Sequence, residues 1–146
     1  MDMAPFEFLD HTADVQIHCW GKNLNETFSE AFNAMMAVML DNLTIEHKIS
    51  RKIIITAPDK QILFVDFLSE FLTILDIEEL IFNRVIVKKI EYQEEVDQYY
   101  LEAEAYGEKY DPKRHIIKTE IKAVTFSFLK INEKENKAEI LFVLDI

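Results

Sequence analysis

The stretch DHTADVQIHCWGKNLNETFSEAF, residues 10–32, runs a polar cluster, an alternating segment and a helix start together without a break. In the alternating segment Val15, Ile17 and Cys19 fall on one side and Gln16, His18 and Trp20 on the other, the period of a half-buried strand. Asn23-Leu24-Asn25-Glu26 then has the form of a capping box, with the Asn23 side chain on the Glu26 amide and Glu26 reaching back. A helix to about residue 40 follows. It places Phe28, Ala31, Phe32, Met35, Met36 and Met39 on one face and Glu26, Ser29, Glu30 and Asn33 on the other, with methionine as core filler. The cluster Asp10-His11-Thr12-Ala13-Asp14 therefore sits in a tight connection at the mouth of a sheet. Such a loop can aim side chains at one point, and Asp and Thr also make turns by bonding their own backbone.

Working outward, residues 6–9 read as a strand paired with residues 15–20 across that cluster. β-Branched density predicts a strand over 49–56, and Pro58-Asp59 ends it and opens a second helix over about 60–75. This helix has only a narrow polar stripe, Asp66, Ser69, Glu70 and Thr73, so it is the buried one. Two hairpins follow, 81–92 with 98–106 and 119–131 with 137–145, each around an acidic or polar turn. Hairpins imply antiparallel pairing, and the helices must cover sheet faces. The class is α+β, a mostly antiparallel sheet built from hairpins and covered by two long helices.

The 146 residues fit one domain, 1–146, and two glycines with three prolines leave little linker material. Sixteen Lys and Arg against 27 Asp and Glu give a net charge of -11, the wrong sign for attraction to phosphate backbones. Direct nucleic-acid binding is therefore not expected, whereas a basic protein or a metal cation is compatible. Cys19 is the single cysteine, which excludes an internal disulfide and any multi-cysteine metal site. The opening MDMAPFEF lacks a secretory pattern, and the apolar run ILFVDFLSEFLTILDI is interrupted by Asp66, Glu70 and Asp76. A soluble cytoplasmic protein without membrane contact is expected.

No GxGxxG or Walker-type loop is present, and His11, His18, His47 and His115 show no HExxH spacing. Cys19, on a strand, has no helix N-terminus to activate it. The other unusual feature is the end of the chain, AEILFVLDI, where the last strand runs to the terminus. Asp145 and the Ile146 carboxylate then place two hard anions on neighbouring positions. If strand pairing brings them to the Asp10–Asp14 connection, three or more carboxylates converge and need a cation, because each raises the others' pKa. Oxygen ligands of this kind favour Ca²⁺, Mg²⁺ or Mn²⁺. Asp145 as a solvated strand-end residue is the alternative.

The segments DHTADVQIHCWGKNLNETFSEAF, ILFVDFLSEFLTILDIEELIF and AYGEKYDPKRHIIKTEIKAVTF, with the terminal LDI, resemble the archease family in the right order over nearly the whole chain. The resemblance implies an accessory protein of tRNA splicing and RNA repair that activates an RtcB-type RNA ligase, promoting guanylylation of the ligase and repeated turnover. It also implies a divalent-metal site at Asp14, Asp145 and Ile146, the positions singled out above. Asp10 stands where the family pattern takes Glu. His11 could orient a carboxylate or face the partner, or simply bond turn backbone. Lys122 and His115 fall in the third motif and could support the site or sit on an exposed strand face. A stand-alone metal-dependent hydrolase or phosphotransferase, and a chaperone-like modulator of RNA-modifying enzymes, are the other classes; against the enzyme stands the absence of a recognisable nucleophile–base pair or phosphate-binding loop.

Overall fold

The structure, a computed structural model, describes residues 5–9, 14–41 and 44–146. In chain order the elements are β1 (Phe6–Leu9), β2 (Asp14–Gly21), α1 (Leu24–Met39), β3 (Ile49–Ala57), α2 (Lys60–Glu78), β4 (Leu80–Gln93), β5 (Gln98–Lys109), β6 (Ala123–Lys134) and β7 (Lys137–Asp145). They form two antiparallel sheets, β1-β2-β7-β6 and β3-β5-β4. The fold is α+β, as the alternation and the hairpins indicate.

Both helices begin where their caps place them. The Glu26 amide donates to Asn23 Oδ1 at 2.9 Å and the Ile62 amide to Asp59 Oδ1 at 2.8 Å. The box at α1 closes one residue earlier than the pattern implies, since Glu26 Oε2 accepts from the Lys22 amide at 2.8 Å. Helix α2 continues to Glu78, three residues beyond the expected end, and stops with Glu79 in the left-handed region (φ 56°).

The helices do more than cover a sheet, because each packs against strands of both sheets. An aromatic series makes the connection. Phe142 on β7 meets Phe64 at 5.0 Å, Phe64 meets Phe28 at 5.1 Å, and Phe28 meets Phe67 at 5.6 Å. Phe67 meets Phe71 at 5.4 Å, which meets Phe82 on β4 at 5.9 Å. Edge and tilted contacts of this kind add about 0.5–1.5 kcal/mol per pair beyond the area they bury. Placement between two sheets explains why α2 has so little polar surface. Gly107 on β5 is required by close approach, as a Cβ there would lie 1.9 Å from the Ile81 carbonyl oxygen. Among the described residues no helix is long and apolar enough to cross a membrane.

Strand β6 departs from expectation. Residues 119–122 lie outside it, and its ladder with β7 is interrupted between the Thr125–Val143 and Lys130–Leu141 pairs, where five steps of β6 oppose two of β7. The extra residues bulge outward, leaving Phe126 and Phe128 exposed, with Phe128 at φ 55°.

Candidate functional site

Sheet register builds the site. In the β2–β7 pair Ile17 and Cys19 face the core with no exposed surface, so Gln16, His18 and Asp14 lie on the opposite face. On β7, Ile140, Phe142 and Leu144 point inward, which puts Glu139 and Asp145 outward. Asp14 is the direct cross-strand partner of Asp145. Directly opposed residues share a face with their Cα atoms about 4.5–5.5 Å apart, and like charges so placed repel. Both aspartates are half-buried. On the other side of β7, Asp145 pairs with Ala123, and the Lys122 amide donates to the Asp145 carbonyl at 2.7 Å. Ile146 follows with its side chain against the core, which ties down the last residue.

Four of the residues singled out in the sequence thus meet at one sheet end: Asp14, Asp145, Ile146 and, through its backbone, Lys122. Asp10 and His11 lie outside the described residues. The donor set fits a hard cation, because two opposed carboxylates on a half-exposed face offer oxygen ligands whose mutual repulsion a divalent ion would relieve. Side chains alone do not complete a cage: among the described residues no group of three or more His, Cys, Asp or Glu could hold a metal.

His115 is placed differently. It is fully buried, its Nδ1 accepts from the Asp111 amide at 2.9 Å, and Nε2 lies 3.0 Å from Glu108 Oε2. The Asp111 contact makes Nδ1 the acceptor, so Nε2 carries the proton and donates to Glu108. Glu108 is itself buried and receives both Arg114 Nη1 (3.0 Å) and Nη2 (2.6 Å), together with the Glu46 amide at 2.7 Å. The Arg114 guanidinium in particular, with the Glu46 amide and His115, holds the Glu108 carboxyl down to about 2. This clamp fastens the segment after β5 and engages both His115 nitrogens. Sequence reading passed over Glu108 and Arg114; the signal was an acid, Arg and His within eight residues of a segment rich in turn formers.

His18, expected as a surface strand residue, bridges Glu7 on β1 (3.0 Å) and Glu139 on β7 (2.9 Å) across the outer face. Its hydrogen bond holds the Glu139 carboxyl below the usual carboxylate range.

The chain that carries this geometry has known relatives. The archease protein family matches residues 6–146. The chain belongs to the archease family. An archease of Methanosarcina barkeri is 39% identical over 141 residues, 97% of this chain and 95% of that protein. One from Sulfurisphaera tokodaii is 37% identical over 99% of this chain and the whole of its own length. The solution structure of Methanobacterium thermoautotrophicum protein 1598 superposes with a TM-score of 0.81 at 33% identity, covering 99% of this chain and all of that one. This archease therefore has its Asp14 and Asp145 side by side on a fold shared with its relatives.

Proposed function

We propose that this archease is a non-enzymatic, divalent-metal-binding activator of an RtcB-type tRNA-splicing RNA ligase, acting in the cytoplasm and promoting ligase guanylylation and multiple turnover. The observation that carries the reading is the opposition of Asp14 and Asp145, two aspartates far apart in sequence at the two ends of the family pattern. Asp14, Asp145 and the Ile146 carboxylate would hold the cation, a Ca²⁺, Mg²⁺ or Mn²⁺ ion by the hardness of these ligands. When bound, it offers remaining coordination positions to phosphate oxygens. The protein's own residues supply its anchorage: β7 fixes Asp145 between β2 and β6, and the Lys122 amide pins its carbonyl. A net charge of -11 disfavours binding to RNA by the protein alone, in keeping with a protein partner.

The test is an assay of ligase guanylylation with GTP and divalent metal, with and without this protein, alongside this protein alone. Stimulation of the ligase and no turnover alone are expected. Hydrolysis or phosphoryl transfer by the isolated protein would overturn the reading in favour of a stand-alone metal-dependent enzyme.

A further inference from the structure

A groove of about 610 Å³ lies between the C-terminal half of α2 and the segment leading into β6. Its floor is apolar, with Met39, Leu72 and Leu75, and Ile117 on its wall is 38% exposed. The wall is fixed to α1, because the Lys118 amide donates to the Met39 carbonyl at 2.8 Å and Ile117 bridges Leu40. At one end stands Lys122, whose backbone is bonded to Asp145, so the groove opens beside the aspartate pair.

The rim is acidic in a way that folding does not explain. Asp76, Glu79 and Glu120 line it, and the side chains of Asp76 and Glu120 have no hydrogen bond or ion pair among the described residues. Asp76 lies in the last turn of α2, where no basic residue is present. The C-terminus of a helix carries partial negative charge and favours cations, so an acid there is unfavourable for α2 itself. Glu78 is compensated by Arg51 and Glu79 faces Lys109 at 3.8 Å, whereas Asp76 is not compensated.

An apolar floor under a rim with two uncompensated acids, Asp76 and Glu120, is complementary to a segment that carries both apolar and cationic side chains. We infer that this groove docks a short basic, apolar segment of the partner ligase protein, next to the metal-binding end. The inference rests on the ligase reading above. It separates two tasks on one surface, binding by the groove and activation by the aspartates.

The experiment measures the Kd of purified RtcB-type ligase for wild type, for the double charge reversal Asp76→Lys/Glu120→Lys and for Asp14→Ala, at low and physiological salt, with thermal melts of each. The charge reversal is expected to weaken binding about tenfold or more, most at low salt, and still to stimulate guanylylation fully at saturating concentration. Its melting temperature does not fall, since a lysine suits the end of α2. Asp14→Ala is expected to bind normally and fail to stimulate. Unchanged affinity of the charge reversal overturns the groove while leaving the activator reading intact. Absence of binding by wild type overturns both.

Discussion

Asp14 and Asp145 face each other across the β2–β7 ladder, a pairing of like charges 131 positions apart that the fold tolerates at a half-exposed sheet end. Opposed charges of one sign cost a few tenths to about 1 kcal/mol. In metal-free buffer, Asp14→Asn is therefore expected to be as stable as wild type or more so, by up to about 1 kcal/mol in a urea titration. Adding Ca²⁺ or Mn²⁺ at 100 times Kd should stabilise wild type by about 2.7 kcal/mol and leave the variant where it was. An equal metal response in the two proteins would detach Asp14 from cation binding.

The Glu108 clamp gives a pH dependence whose sign is fixed. The Glu108 carboxyl is held from its ordinary value near 4.5 down to about 2, so its contribution to stability is complete above about pH 4.5 and is lost as pH falls towards 2. Glu108→Gln leaves Arg114 and His115 without their anionic partner and should cost about 2–3 kcal/mol at pH 7. Denaturant midpoints of the two proteins should converge as the pH is lowered from 5 to 2. A gap that stays constant over that range would show that the Glu108 charge is not what holds the segment.

Phe128 tests the bulge of β6. It occupies the left-handed region at φ 55°, costly for a bulky residue, and its side chain is 69% exposed, so little burial repays the strain. Phe128→Asn should raise stability by about 1 kcal/mol, or a few degrees in melting temperature, because Asn tolerates that conformation. A lower melting temperature would mean that the ring packs usefully in the free protein.

These residues also mark where the sequence was readable. Local chemistry announced itself: the caps Asn23 and Asp59, the alternation from Val15 to Trp20 and the first hairpin appear where their short-range patterns place them, and the second hairpin forms with its first strand starting only at Ala123. Long-range arrangement was less legible. Nothing in the period of β2 or β7 states that they pair, so the meeting of Asp14 with Asp145 could be posed only as a condition on strand pairing. Residues 119–122 look like the start of a strand because Ile121 is apolar, yet Ile121 is buried in the non-strand segment that lines the groove. The β6 bulge was hidden because Phe126 and Phe128 mimic an alternating inward face. His115 stood out only as part of the third motif, with an exposed strand face as the plainer reading; its burial and its commitment to Glu108 depend on a fold-back that spacing does not reveal.

The most direct test of the account uses the chain end, since the Ile146 carboxylate can ligate a cation only while it is a carboxylate. A short polar extension after Ile146 turns it into a neutral amide and leaves Asp14 and Asp145 untouched; the same extension before Met1 serves as the control. Hard cations respond strongly to the number and charge of their oxygen ligands. Ligase guanylylation is measured against metal concentration for wild type and both extended proteins. The expected result is that the C-terminal extension needs far more metal or fails to stimulate, while the N-terminal one matches wild type. Full stimulation by the C-terminally extended protein at the wild-type metal concentration would contradict the account.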